Sequence, residues 1–169
     1  MGRGIAQIAA QAGSKVCLFD TNPEAAAAAQ KQIEQQWQKL AEKGKIDAAK
    51  AAEWSALLQP VTTLNDLSSC DLVIEAIVER LDVKRELFAQ LETIVDSKAV
   101  LVTNTSSLSV TAIAANLKSA HRFAGYHFFN PVPLMKVVEV IAGLKTDAAT
   151  CERLTQYTRE MGHTPVTAQ

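Results

Sequence analysis

The chain has 169 residues, 48% of them apolar and 21% charged, with a formal net charge of −1. This is the composition of a globular domain with a sizeable core, not of a disordered or fibrous chain. Near-neutrality excludes the broad basic field that draws nucleic acid or an anionic membrane, and no apolar stretch reaches the roughly 20 residues that span a bilayer. Cys17, Cys70 and Cys151 show no metal-ligand spacing; Cys17 and Cys70 sit in apolar runs and read as small core residues. Three such cysteines fit a reducing cytoplasm, and the opening residues carry no signal peptide.

The chain opens on a helix. Ile5, Ile8, Ala9 and Ala12 recur at helical spacing, and Gly13 supplies the stop. Val16–Phe19 is a short apolar strand that ends at Asp20. Asn22 then caps a long helix with Pro23 at its first position and Ile33, Trp37 and Leu40 on its buried face. Lys43-Gly44-Lys45 breaks that helix, and a second one over residues 47–58 folds back to form a helical hairpin. Strands are expected at residues 60–63 and 71–75, and a helix at residues 84–95. Residues 99–103 form a further strand, followed by a short helix at 110–117. Residues 122–128 and 136–141 are strands separated by Asn130-Pro131-Val132-Pro133, and a final helix covers residues 147–161. Continuous apolar strands that alternate with helices predict an α/β fold, a mostly parallel sheet covered on both faces.

Dinucleotide-binding units open with a strand, then G-x-G-x-x-G, then a helix. Here Met1-Gly2 leads straight into the helix, and Gly2 stands where the third glycine of that fingerprint belongs. Asp20 follows about 20 residues later, at the place of the acid that accepts hydrogen bonds from the adenosine ribose. A carboxylate there repels a 2′-phosphate, which favours NAD over NADP; the plainer reading is a loop cap. The expected architecture is therefore Rossmann-like and doubly wound, with a helical hairpin insertion and without its first strand. Two strand edges should be left open, and cofactor affinity should suffer from the absent glycine loop.

Open parallel sheets bind ligands beyond the carboxyl ends of their strands. Thr103-Asn104-Thr105-Ser106-Ser107 and His127-Phe128-Phe129-Asn130-Pro131 both fall there, so Ser106 and His127 should share one edge. The Pro-rich turn can fold the next strand back and bring Glu139 beside the imidazole. Such a pair suits alcohol oxidation: the imidazole takes the hydroxyl proton and the carboxylate orients it. Ser106 and Asn130 can hydrogen-bond the substrate oxygen. Each residue has a plainer role too. His127 could be a satisfied structural histidine, Ser106 a helix cap, Glu139 an exposed strand residue and Asn130 a turn former. A hydrolase with Ser106 as nucleophile lacks the G-x-S-x-G elbow.

Met1-Gly2-Arg3-Gly4-Ile5-Ala6-Gln7, DLVIEAIVER, TNTSS and HFFNPVPLMKVVEVI together resemble the L-3-hydroxyacyl-CoA dehydrogenase family over nearly the whole chain. The resemblance implies His127 as catalytic base with Glu139 as its partner, and Ser106 and Asn130 at the substrate oxygen. It places Asp20 at the adenosine ribose, Glu79 and Lys84 beside the NAD, and Lys43 near the CoA moiety; Gly2 and Asn104 complete the cofactor set, and no metal is implied. The implied reaction is NAD-dependent oxidation of an L-3-hydroxyacyl-CoA to the 3-ketoacyl-CoA, in fatty-acid or related acyl-CoA degradation. The family continues into a helical C-terminal domain that closes the cleft and forms a homodimer. Residues 164–169 stand where that domain would begin, so the 169-residue chain alone is expected to show little activity. Two alternatives stay open: a dehydrogenase of a free hydroxy or sugar acid, and a non-catalytic nucleotide-binding fragment.

Overall fold

A computed structural model describes all residues, 1–169. Helix α1 (Gly2–Gln11) buries Ile5, Ile8 and Ala9, and Gly13 ends it with a φ of 92°, the left-handed backbone that glycine adopts without strain. Strand β1 (Val16–Phe19) leads to α2 (Pro23–Glu42), where the Asn22 side chain accepts the Glu24 amide as a cap. Helix α3 (Ala48–Leu57) is capped in the same way by Asp47. The hairpin of α2 and α3 closes on fully buried Trp37, whose ring lies 5.5 Å from that of Trp54. Strand β2 (Leu58–Val61) starts earlier than the sequence suggests, because Leu58 turns extended directly at the end of α3.

The remaining elements alternate. They are β3 (Leu72–Glu75), α4 (Leu81–Ile94), β4 (Val100–Thr103), α5 (Val110–Ile113), β5 (Phe123–Phe128), β6 (Val137–Ala142), α6 (Ala148–Glu160) and β7 (Thr164–Ala168). The sheet is in two pieces: β1 with β2, and β3-β4-β5-β6-β7. All neighbours run parallel except β5 and β6, which are antiparallel. No ladder joins β1 to β3, so each keeps a free edge, as the sequence leads one to expect. Side chains link the two pieces instead. Val16 packs on the cluster that holds Ile8, Val102 and Tyr126, while Cys17 and Phe19 pack on the cluster of Phe88, Leu101 and Phe123.

Period-two alternation sends successive strand residues to these two clusters. On β4, Val100 and Val102 face one and Leu101 the other; on β5, Ala124, Tyr126 and Phe128 face one and Phe123 the other. Gly125 lies on the Phe123 side, where a Cβ would come within 2.8 Å of Val110 Cγ2 and 2.9 Å of Ile141 Cβ. Only glycine lets α5 approach β5 this closely. Two further boundaries differ from expectation. Helix α4 begins at Leu81, ahead of Lys84, and α5 stops at Ile113. Strand β7 carries no apolar alternation and is almost wholly exposed, with Pro165 on it, so it gives no signal of burial in the sequence.

Gly125→Ala should destabilise the fold by about 1–3 kcal/mol through overpacking. Urea denaturation monitored by circular dichroism measures it.

Candidate active site

A cleft of about 380 Å³ opens beyond the carboxyl ends of β3, β4 and β5. It brings together five of the predicted residues: Glu79, Asn104, Ser106, His127 and Asn130. Met1 at the start of α1, Ile77 and Phe129 add apolar wall. A larger groove of about 760 Å³ lies at the amino ends of the same strands, around Asp71, Lys98, His121 and Arg153. It holds none of the predicted residues and sits at the edge that parallel sheets leave unused for ligands.

The register of β5 and β6 sets His127 directly opposite Glu139, on the same face of the sheet. Their side chains meet: Nδ1 of the imidazole lies 2.8 Å from Glu139 Oε2. A carboxylate only accepts, so Nδ1 donates and Nε2 is left with its lone pair on a ring that lines the cleft. Phe129 packs against that ring at 4.6 Å between centroids. His127 is thus held on one side by a carboxylate and on another by an aromatic ring, with 17% of its side chain open to solvent.

Backbone and side chains tie the neighbouring loops to this pair. Asn104 Oδ1 accepts the Phe128 amide at 2.8 Å, and the Asn104 amide donates to the Glu75 carbonyl at 2.8 Å. The ends of β3, β4 and β5 are thereby fixed to one another. Ser106 is exposed and caps nothing. The cap of α5 is Ser109, whose Oγ accepts the Ala112 amide at 3.2 Å. The helix-cap reading of Ser106 is excluded.

Lys84 differs from expectation. The resemblance implies a place beside the cofactor, but its side chain does not line the cleft and is 1% exposed. Its Nζ sits 2.5 Å from Glu75 Oε1 and 3.4 Å from Glu79 Oε2. Glu75 escaped the sequence reading altogether. An acid closing the apolar run Leu-Val-Ile, with a lysine in the next helix, was the available signal. Glu79 does line the cleft. Partial burial works against its charge, but the Thr105 hydroxyl, the Lys84 ammonium and the Ser107 amide outweigh that and lower its pKa to about 2.

The other predicted residues lie apart. Asp20 is exposed at the carboxyl end of β1, where Oδ1 accepts the Asn22 amide at 2.9 Å; it is outside the cleft lining. Lys43 is exposed in the hairpin turn, away from the cleft. Gly2 has room, since a Cβ there would lie 4.0 Å from Ala76. The close approach belongs instead to Gly4, whose Cβ would come within 2.9 Å of Val132. The first helical bond of α1 joins the Ile5 amide to the Met1 carbonyl, so the amides of Gly2, Arg3 and Gly4 have no helical partner. Free amides at a helix start beside the cleft, with a carboxylate at the tip of the neighbouring strand, fit the pyrophosphate and ribose of a dinucleotide.

Residues 1–169 match the family described as 3-hydroxyacyl-CoA dehydrogenase, NAD binding domain. The chain belongs to this family. Its cofactor is NAD. The chain is 46% identical over 98% of its length to the 3-hydroxyadipyl-CoA dehydrogenase of Escherichia coli (strain K12), of which it covers 35%. It is 41% identical over its whole length to the mitochondrial hydroxyacyl-coenzyme A dehydrogenase of Homo sapiens, covering 56% of that protein. A crystal structure of 3-hydroxybutyryl-CoA dehydrogenase from Escherichia coli superposes with a TM-score of 0.97 at 46% identity, over 99% of this chain and 35% of that one. The chain spans between 35% and 59% of the length of curated relatives it matches. No helix in it is long and apolar enough to cross a membrane.

The carboxyl of Glu79 has a folded pKa of about 2, below its ordinary value of 4.5. Its contribution to stability is therefore complete above pH 4.5 and drains away as pH falls from 4.5 towards 2, because the unfolded chain takes up the proton first. Urea midpoints measured across this range should fall more steeply for the unaltered protein than for Glu79→Gln. Above pH 4.5 the difference between the two should stay constant.

Proposed function

We propose that the protein catalyses the reversible NAD-dependent oxidation of an L-3-hydroxyacyl-CoA to the 3-ketoacyl-CoA, within fatty-acid or related acyl-CoA degradation. The observation that carries this reading is the 2.8 Å contact by which Glu139 holds His127, whose side chain lines the cleft. The names of these relatives, each a dehydrogenase of a hydroxyacyl-CoA, support the substrate class.

NAD, when bound, supplies the hydride acceptor for C3. His127 Nε2 takes the proton of the C3 hydroxyl as the hydride departs. Glu139 holds the ring in the tautomer that leaves Nε2 basic, and its charge stabilises the imidazolium that forms. Ser106 and Asn130, both on the cleft wall, hydrogen-bond the C3 oxygen and hold the carbon in place. In the reverse direction the imidazolium returns the proton to the carbonyl oxygen. Asn104 holds the β4–α5 loop against β5, and Phe129 restrains the imidazole plane. Asp20 accepts the adenosine ribose hydroxyls, the free amides of α1, Gly2 among them, receive the pyrophosphate, and Lys43 meets the CoA moiety.

We take the greater length of the relatives to include the helical domain that the resemblance implies, one that closes the cleft and pairs two subunits as a homodimer; without it the domain would turn over little substrate. Three free thiols support a reducing compartment, which we take to be the cytoplasm.

In the intact protein, His127→Gln should lower kcat for acetoacetyl-CoA with NADH by about 10²–10⁴-fold and leave NADH affinity unchanged. Equal loss of both would assign the histidine to cofactor binding or folding. Glu139→Gln should lower kcat by less than His127→Gln, with KM for acetoacetyl-CoA little altered. Steady-state rates on acetoacetyl-CoA and on free acetoacetate test the CoA requirement. Comparable kcat/KM on both would overturn the acyl-CoA assignment.

A further inference from the structure

The turn between β5 and β6 carries Asn130 to the cleft wall, yet the Asn130 side chain makes no hydrogen bond within the protein. Its place is inherited from the backbone of the turn. Within the turn, the Leu134 and Met135 amides both donate to the Pro131 carbonyl, at 3.0 and 2.9 Å. At its far end the Lys136 carbonyl accepts the Thr164 amide at 2.7 Å. In its middle, Val132 is 2% exposed and sits against Gly4 of α1, where a Cβ would have no room. The other contact to Val132 comes from His163, in the corner between α6 and β7.

His163 is 4% exposed, and its ring lies between two carbonyls, Val132 at 2.9 Å from Nε2 and Met161 at 3.2 Å from Nδ1. A carbonyl only accepts, so in the shorter contact Nε2 donates its N–H to Val132. That bond crosses 31 residues of chain, and it is the only hydrogen bond that a side chain makes to residues 129–136. The base of the ring is fixed as well. Gly162 closes α6 with a φ of 79°, and the His163 amide donates to the Thr158 carbonyl at 3.0 Å. An aliphatic side chain would fill this space without the desolvation cost of a buried imidazole; what the imidazole adds is one donor aimed at the turn. We propose that His163 is a positioning residue that holds the Val132 carbonyl and thereby sets Asn130 against the substrate oxygen. It lines no part of the cleft. The turn is thus gripped at one residue from two sides, by shape from α1 and by a hydrogen bond from the end of α6.

The inference rests on Asn130 as a group that holds the C3 oxygen, and its test separates the two. In the intact protein, His163→Gln sets an amide nitrogen at the reach of Nε2, and His163→Asn only at the reach of Nδ1. With acetoacetyl-CoA and NADH, His163→Gln should keep kcat/KM within about twofold of the unaltered protein, and His163→Asn should lower it at least about fivefold. The NADH dissociation constant, read by its fluorescence, should move less than about twofold in both, since Val132 still packs on Gly4. In the Asn130→Ala background the loss from His163→Asn should shrink below about twofold, because the group being placed is gone. If His163→Asn does not fold, His163→Leu takes its place, filling the space with no donor, and the same losses are expected. Equal kcat/KM in His163→Gln and His163→Asn would overturn the proposal. So would a loss that persists in full without Asn130, or NADH affinity that falls in step with kcat/KM, the mark of a loosened fold. If the unaltered protein reduces acetoacetyl-CoA and Asn130→Ala does so equally well, the role of Asn130 falls and this proposal with it.

Discussion

The change of direction between β5 and β6 places His127 and Glu139 at facing positions on one face of the sheet. A sheet side chain alternates with a period of two, so a slip of one residue would turn Glu139 into the core and present Val138 or Val140 to the imidazole. Val138 and Val140 prevent that slip. They are 0% and 1% exposed, locked in the same cluster as Tyr126 and Phe128. The hydrophobic pattern of β6 thus fixes a polar contact on its opposite face. Gly125, opposite Ile141, allows the same two strands to lie close under α5. The geometry of the His127–Glu139 pair is a by-product of core packing, which is why it can be held without a dedicated scaffold of hydrogen bonds around the ring.

The cleft itself depends on loops being tied to one another at the carboxyl ends of the paired strands β3, β4 and β5. Asn104 bonds to β5 through the Phe128 amide and to β3 through the Glu75 carbonyl. Below it, Glu75, Thr103, Lys84 and Glu79 form a connected set with every buried charge opposed. Partly satisfied networks of this kind are destabilising, and satisfied ones give rigidity. Rigidity is what hydride transfer asks of the residues around it, since small errors in placement reduce rate steeply.

Much of this was legible in the amino acids. Helix starts at Asn22, Asp47 and Asp147 announce themselves through side chains that accept the next free amides. The strands bearing His127 and Glu139 follow from apolar runs around a Pro-rich turn. What sequence could not give was depth. Lys84 sits in an amphipathic helix where a charged residue normally marks the solvent side, and only the carboxylate of Glu75, placed by β3, makes its burial tolerable. Gly2 and Gly4 are two residues apart and equally plausible as the close-packing glycine; the position of Val132, far along the chain, decides between them. Ser106 and Ser109 are likewise both reasonable caps until the start of α5 is known. Strand β7 was invisible because an exposed edge strand has no core to pattern it.

The helical hairpin has an optical consequence. Trp37 and Trp54 are the only two tryptophans of the chain, and they touch each other on α2 and α3. Trp37 is wholly buried and its indole N–H meets no acceptor, so its emission comes from a dry surrounding. Intrinsic fluorescence from this protein is therefore a gauge of the hairpin's seating against α1 and the β1–β2 pair, and nearly blind to rearrangements at His127. A red shift would signal the hairpin peeling away while the five-stranded sheet still stands.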